Sequence, residues 1–375
     1  MAWNFLNLIN FITVSQLLLF SFFLFSQKKG KKVSNRILAG FLLSTAMPLI
    51  SFVLYRVDLS AYLKYPFLFW FGNSFAFLWG PAIYLYTRSL IFRNFSFNHR
   101  HAVHLIPYGL YWAYKIIAFY IYGDPVKLEL LIVGKIYNLS DILMVGVFLH
   151  LLILFYIIMS VHSLNIYQEE IKEIFSSIEK ASLSWLRFVI LGFSIIWVTG
   201  LLNSIITYMR GSPEVPLCLF NVVYIFFMAN FIVLKGLRQP EIFSGIDKRP
   251  KYERSTLSKS DAGLYLKQLK SCMEKDKPYL IPSLTVQDLS NRLSIQPRHL
   301  SQVINKYLHQ NFMDFINSYR IKEAKRLLKN RLNEKSTILE ILFEVGFNSK
   351  AAFNKAFKKK TGLTPSEYMK RNQVQ

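Results

Sequence analysis

Seven times within the first 237 residues the chain runs for about twenty residues with scarcely a charge, and this restricts the fold more than any other feature. A bilayer core of ~30 Å takes about 20 apolar residues as a helix, because in lipid only internal hydrogen bonding satisfies the backbone. The runs cover roughly 5–25, 37–55, 67–92, 103–122, 137–161, 185–208 and 217–237. The first lacks a basic start, and Phe22-Phe23-Leu24-Phe25 offers no small-residue cleavage site, so it reads as an anchor rather than a signal peptide. The expected architecture is all-α: a polytopic helical membrane bundle of about seven spans, give or take one, followed by a small helical domain.

Lys and Arg in the loops set the orientation. Lys28, Lys29, Lys31, Lys32 and Arg36 crowd the first loop; Arg88, Arg93 and Arg100 flank the third; Lys172, Lys180 and Arg187 mark the fifth. The alternate loops carry only Arg56 and Lys64, then Lys127 and Lys135, then Arg210. The rich set belongs inside. The N-terminus is then outside and, with an odd count, everything after the last span is cytoplasmic, as in a multi-pass protein of a bacterial inner membrane. The fifth loop, 162–184, carries Glu169, Glu170, Glu173 and Glu179 and is expected to form a cytoplasmic helix.

A chain that is 53% hydrophobic and yet has a net charge of +23 must divide between two solvents. From Arg238 onward there are 27 Lys/Arg against 13 Asp/Glu, so most of the positive field lies there. Gly236 and Pro240 end the last apolar run, and 238–260 is polar and weakly patterned. The expected organisation is a membrane domain at 1–237, a linker at 238–260 and a basic domain at 261–375. Cys218 and Cys272 fall on opposite sides of the membrane in this topology and read as packing residues.

Beyond residue 260 apolar residues return at helical spacing, behind repeated helix-start signals. Thr285–Asp288, Thr337–Glu340 and Thr364–Glu367 have the form of capping boxes, and Pro297 and Pro365 suit first helical turns. Two similar helix pairs result: 285–293 with 297–307, and 337–345 with 349–360, each joined by about three residues. That is helix-turn-helix spacing. A longer helix, 311–329, separates them.

Phe312, Tyr319-Arg320-Ile321 and Glu323-Ala324-Lys325-Arg326-Leu327-Leu328 are followed by Val345-Gly346-Phe347-Asn348-Ser349 and Gly362-Leu363-Thr364-Pro365. This run strongly resembles the AraC/XylS-type DNA-binding domain, over roughly 261–371. Leu342 stands where that family usually has Ala, and His309 where a turn glycine is common. The resemblance implies that the second helix of each pair enters successive major-groove segments on one face of double-stranded DNA.

In the first such helix Leu300, Val303 and Ile304 face inward, which leaves Arg298, Ser301, Gln302 and Asn305 as base-contact candidates. In the second, Phe353, Ala356 and Phe357 face inward, leaving Lys350, Ala351, Asn354 and Lys355. Arg298 and Lys355 suit guanine, and Gln302 or Asn354 suits adenine. Lys306, Lys358, Lys359 and Lys360 suit phosphates, which position a protein without reading sequence.

The first 237 residues contain no Walker loop, no HExxH and no histidine-kinase apparatus, so neither catalysis nor a cofactor is expected. His99, His101 and His104 read as interfacial rather than metal-binding, and Trp79-Gly80-Pro81 as a kink or close helix contact. Lys115 and Asp141, placed inside apolar runs near the outer face, either bracket a ligand or snorkel separately to the surface. The function expected is that of a membrane-anchored transcription regulator coupling an unknown signal to promoter binding. RNA polymerase and a second copy of the chain are further candidate partners. The alternative is a transporter or membrane enzyme whose tail is an interaction module.

Overall fold

The computed structural model describes residues 2–28, 30–57, 64, 65, 68, 70–123, 125–127, 139–179, 181–210, 213–237, 257–330 and 337–373. Among these the chain is all-helical, with one isolated antiparallel bridge between Phe175 and Thr285. It forms two compact units, Met1–Asn165 with Leu183–Asp247, and Ile166–Ser182 with Lys248–Gln375. The segment 166–182, expected as part of the membrane domain, therefore packs with the C-terminal residues. The linker expected at 238–260 lies outside the described residues except for its last four positions.

The first unit is built from α1 (Ala2–Ser26), α2 (Lys32–Val57), α3 (Trp79–Ile91), α4 (Ile106–Lys115), α5 (Leu139–Glu170), α6 (Ser184–Arg210) and α7 (Val215–Leu237). Five of these, α1, α2, α5, α6 and α7, are long and apolar enough to cross a membrane, against the seven expected. They are apolar all round, and large side chains such as Phe22 (75% exposed) and Met144 (74%) face outward.

The other two apolar stretches are helical but broken. A turn at Phe71–Ser74 and a 3-10 segment at Phe75–Leu78 precede α3, while α4 lies between a 3-10 segment at His99–Leu105 and a π-helical turn at Ile116–Tyr120. Gly80 marks the expected close contact: a Cβ there would lie 2.8 Å from the Tyr156 ring on α5. Buried and half-buried polar groups within the unit bond across helices, as Trp79 Nε1 to Ser44 O (3.2 Å), Ser21 Oγ to Ala39 O (3.0 Å) and Ser89 Oγ to Ser34 Oγ (2.9 Å).

The second unit holds α8 (Lys259–Lys275), α9 (Val286–Leu293), α10 (Pro297–Leu308), α11 (Phe312–Asn330), α12 (Ile338–Glu344), α13 (Lys350–Thr361) and α14 (Pro365–Gln373). All three capping boxes form: Thr285 and Asp288, Thr337 and Glu340, and Thr364 and Glu367 exchange side-chain and backbone bonds of 2.7–3.3 Å. Two cores result. One gathers Leu289, Leu300, Ile304, Phe312 and Ile316; the other gathers Ile321, Leu328, Leu342, Phe353 and Phe357. α11 supplies residues to both, so it is the rod on which the two helix pairs are mounted. Leu342, the residue larger than the usual Ala, is fully buried in the second core.

The expected helix at 162–184 is only partly present. α5 continues to Glu170, a 3-10 turn covers Ile171–Glu173, and the chain then runs irregularly to α6.

Among the left-handed positions, two at helix ends of the second unit decide local packing. His309, φ +53°, closes α10, which explains why glycine would suit that place. Gly346, φ +89°, leads out of α12, and a Cβ there would lie 2.7 Å from the carbonyl oxygens of both Tyr279 and Leu280. His309→Gly should stabilise the unit by up to ~1 kcal/mol, whereas Gly346→Ala should destabilise it by roughly 2–4 kcal/mol. Thermal unfolding of the purified chain checks both.

Candidate nucleic-acid interface

Each helix pair presents its second helix through the same local device. α9 ends in Ser294 at φ +53°, three residues carry the chain round, and Pro297 opens α10. α12 ends at Val345, Gly346 and Phe347 make the turn, and Ser349 caps α13 by accepting from the Ala352 N–H (3.2 Å). Leu300, Val303 and Ile304 pin α10 to its core, and Phe353 and Phe357 pin α13.

Arg298 is exposed and Gln302 half-buried on the outer side of α10; Lys350, Ala351 and Lys355 are exposed and Asn354 half-buried on α13. Ser301 departs from expectation. It is 4% exposed, and its hydroxyl has no hydrogen-bond partner among the described residues. At ~100° per residue it falls about 20° from Leu308 on the helix wheel, on the edge of the buried face rather than outside it. Asn305 is half-buried and already engaged: its Nδ2 donates to Glu173 Oε2 at 2.9 Å. Burial holds the Glu173 carboxyl above its ordinary range; the bond from Asn305 opposes this, and nearby Glu169 adds to it. Among the lysines Lys306, Lys358 and Lys360 are exposed, while Lys359 Nζ is paired with Asp314 at 2.8 Å.

The residue that sequence reasoning passed over is Arg320, near the middle of α11 and 0% exposed. It stands between Ile316 in the first core and Ile321 in the second. Its Nε donates to Tyr279 O (2.7 Å) and its Nη2 to Ile281 O (2.8 Å) and Pro282 O (3.4 Å). Two further bonds reach the 166–182 segment, at Ser176 O (3.4 Å) and Ser176 Oγ (3.2 Å). The guanidinium lies 5.5 Å from the Phe347 ring. Burial lowers its pKa to about 10, with the Glu179 charge acting in the opposite direction. A signal did exist in the sequence, since Ile316, Arg320 and Ala324 follow one another at i, i+4 along a buried stripe.

In the first unit Lys115 is buried, with Nζ 3.9 Å from the Trp70 ring centroid and 5.0 Å from that of Tyr114. Such a cation over aromatic faces is held inside the protein rather than snorkelling outward. The side chain of Asp141 lies outside the described residues. His101 Nδ1 accepts from the Asn98 N–H (3.1 Å), and His104 Nδ1 lies 2.8 Å from Tyr156 OH. No group of three metal-ligating side chains occurs among the described residues.

Comparison with known proteins agrees with the C-terminal geometry. Residues 289–371 match the family described as a helix-turn-helix domain. The chain is 31% identical over 113 residues to the Msm operon regulatory protein of Streptococcus mutans, covering 30% of this chain and 38% of that protein. It is 28% identical over 104 residues to the HTH-type transcriptional regulator GlxA of Rhizobium meliloti, covering 28% and 31%. It is also similar to the C-terminal domain of AraT, a response regulator from Geobacillus stearothermophilus, at 26% identity and a TM-score of 0.25, covering 31% of this chain and 88% of that one. The chain thus spans about a third of the length of the curated relatives it matches, 38% of one and 31% of the other. The C-terminal part is an AraC-type helix-turn-helix domain, and the matched names are those of regulators rather than enzymes.

Removing the guanidinium would strand several buried carbonyl oxygens at the junction of the two cores. Arg320→Ala should cost about 3–5 kcal/mol, and Arg320→Lys should recover little, because one ammonium cannot match a fork that reaches three carbonyls and a serine. Hydrogen exchange at the Ser176 and Val286 amides should quicken accordingly in both variants.

Proposed function

We propose that the chain is a membrane-anchored, sequence-specific transcription regulator that couples a membrane or extracytoplasmic signal to promoter binding. The observation that carries it is the presence, on one chain, of two capped helix-turn-helix pairs mounted on α11 and five long apolar helices. Arg298, Gln302, Asn305, Lys350, Ala351, Asn354 and Lys355 are the base-reading set, with Ser301 shaping the edge of α10 rather than reaching a base. Lys306, Lys358, Lys359 and Lys360 serve phosphates, and Lys359 exchanges Asp314 for one on binding. Lys115 is the candidate sensing residue, with Asp141 beside it in the sequence-based reading. RNA polymerase and a second copy of the chain remain the further partners proposed.

Five spans or seven, the count is odd, so both place the 28–36 loop, the 166–182 segment and the DNA-binding domain on the cytoplasmic side. The packing of 166–182 with the C-terminal residues supports that placement. We favour seven. The run 71–91 is roughly 33 Å long at the rises of its α and 3-10 parts, enough to cross a core of ~30 Å. Its far end returns to the first loop, where Lys31 Nζ donates to Ser89 O (2.7 Å) and Phe92 O, a cation placed at a helix C-terminus.

A reporter active only outside the cytoplasm should light up when fused after Arg210 and stay dark after Lys180 and Ser258. Darkness after Arg100 as well would establish seven crossings, and activity there five. Base reading is tested separately. Gln302→Ala and Lys355→Ala should each relax preference at different positions about one DNA turn apart, by ~1–3 kcal/mol per contact, while Lys358→Ala should weaken binding to all sequences. A uniform loss of affinity in the Gln302 and Lys355 variants, with preference unchanged, would remove them from the reading set.

A further inference from the structure

The second unit is completed by residues from between two apolar helices, and these residues touch both DNA-reading helices. Backbone bonds run from Ser176 N to Leu284 O (3.0 Å) and from Val286 N to Ile174 O (2.9 Å), on either side of the Phe175–Thr285 bridge. Ile174 packs on the first core. The base of the loop is closed by Tyr167 OH to Ala181 O (2.6 Å) and Gln168 Nε2 to Ser182 O (3.1 Å). It is a built strap, not a passing loop.

What the strap offers the reading helices is chemically specific. Glu173 takes the amide hydrogen of Asn305 near the C-terminal end of α10 (2.9 Å). At the other pair, Asn348 Nδ2 donates to Ser177 Oγ (2.9 Å), and Ser349 Oγ donates to Glu179 Oε1 (3.5 Å) at the N-terminus of α13. A helix N-terminus favours an anion, and in a DNA complex that anion is a phosphate. Asparagine's amide is likewise a group that bonds base edges. The strap thus puts carboxylates where duplex DNA would put its own acceptors, and their charge repels an approaching phosphate.

We propose that residues 166–182 are an autoinhibitory strap that competes with DNA for Asn305 and for the N-terminus of α13. This rests on the assignment of α10 and α13 as reading helices. The strap continues into α5 at one end and α6 at the other, so a rearrangement of those helices reaches it directly. DNA and the docked strap exclude each other, and by linkage whatever loosens the strap raises DNA affinity by the same factor that DNA lowers strap docking.

The test uses the full chain in lipid nanodiscs and a duplex enriched on it from a random-sequence library. Glu173→Gln combined with Glu179→Gln should tighten binding about tenfold, while Glu169→Gln, the same kind of substitution at one exposed strap position, should change it less than twofold. In a second variant, Ser177→Cys with Asn348→Cys, joining the thiols with a short cleavable linker should abolish binding and cleaving it should restore binding. Unchanged or weaker binding by the double glutamine variant, or full binding by the linked form, overturns the strap while leaving the DNA reading intact. If no duplex is retained by any variant, the cleaved form included, the assignment of the reading helices fails and the strap falls with it.

Discussion

A guanidinium buried where two cores meet has no bulk water to hydrate it, so every donor it carries must be met by protein. Arg320 meets that demand by drawing in three separate parts of the second unit. The carbonyls of Tyr279, Ile281 and Pro282 belong to the first helix pair's side, Phe347 to the second pair's turn, and Ser176 to the strap. The cost of leaving such a charge unpaired is several kcal/mol, so these parts are bound to one another through the residue each of them satisfies. Gly346 adds a steric condition at the same place, since only a glycine lets the second turn pass so close to the Tyr279 and Leu280 backbone.

Rigid spacing of α10 and α13 follows from this arrangement. α11 alone would fix the distance between the pairs, but a single rod leaves each pair free to tilt about its own core. The Arg320 bonds to the Tyr279, Ile281 and Pro282 carbonyls and the Gly346 contact, none of which involves the strap, supply the second and third points that remove this freedom. A protein that reads two successive major-groove segments needs both helices in register with one DNA turn, and cross-bracing at the midpoint of α11 provides for it.

Where the sequence carried local signals, it was readable. Capping boxes, proline at first helical turns and the spacing of Leu300, Ile304, Phe353 and Phe357 act within a few residues, and those helices lie within a residue or two of expectation. The failures share a cause of another range. Ser301 sits on the boundary of a face whose width depends on what packs against it. The 162–184 segment is expected to be a polar cytoplasmic helix because the partners of its strap, Thr285, Asn305 and Arg320, lie more than a hundred residues away in sequence. The two broken runs before α3 and around α4 are apolar enough to look continuous, and hydropathy is blind to whether a turn is α, 3-10 or π. Arg320 itself was visible as a charge in a buried stripe, yet nothing local said which carbonyls it would find.

The discontinuity of the second unit has a consequence for how the protein is made. Its strap leaves the ribosome between two apolar helices, well before the residues that will surround it, and under the proposed topology it must wait on the cytoplasmic side while α6 and α7 are inserted. Only after α11 is synthesised can Arg320 gather Ser176 and the Tyr279–Pro282 carbonyls into one cluster. A chain whose α5 and α6 insert with the wrong orientation would leave the strap on the far side of the bilayer from its domain. Under the proposed topology the docked strap is therefore, by its own connectivity, a record that α5 and α6 were inserted in that orientation.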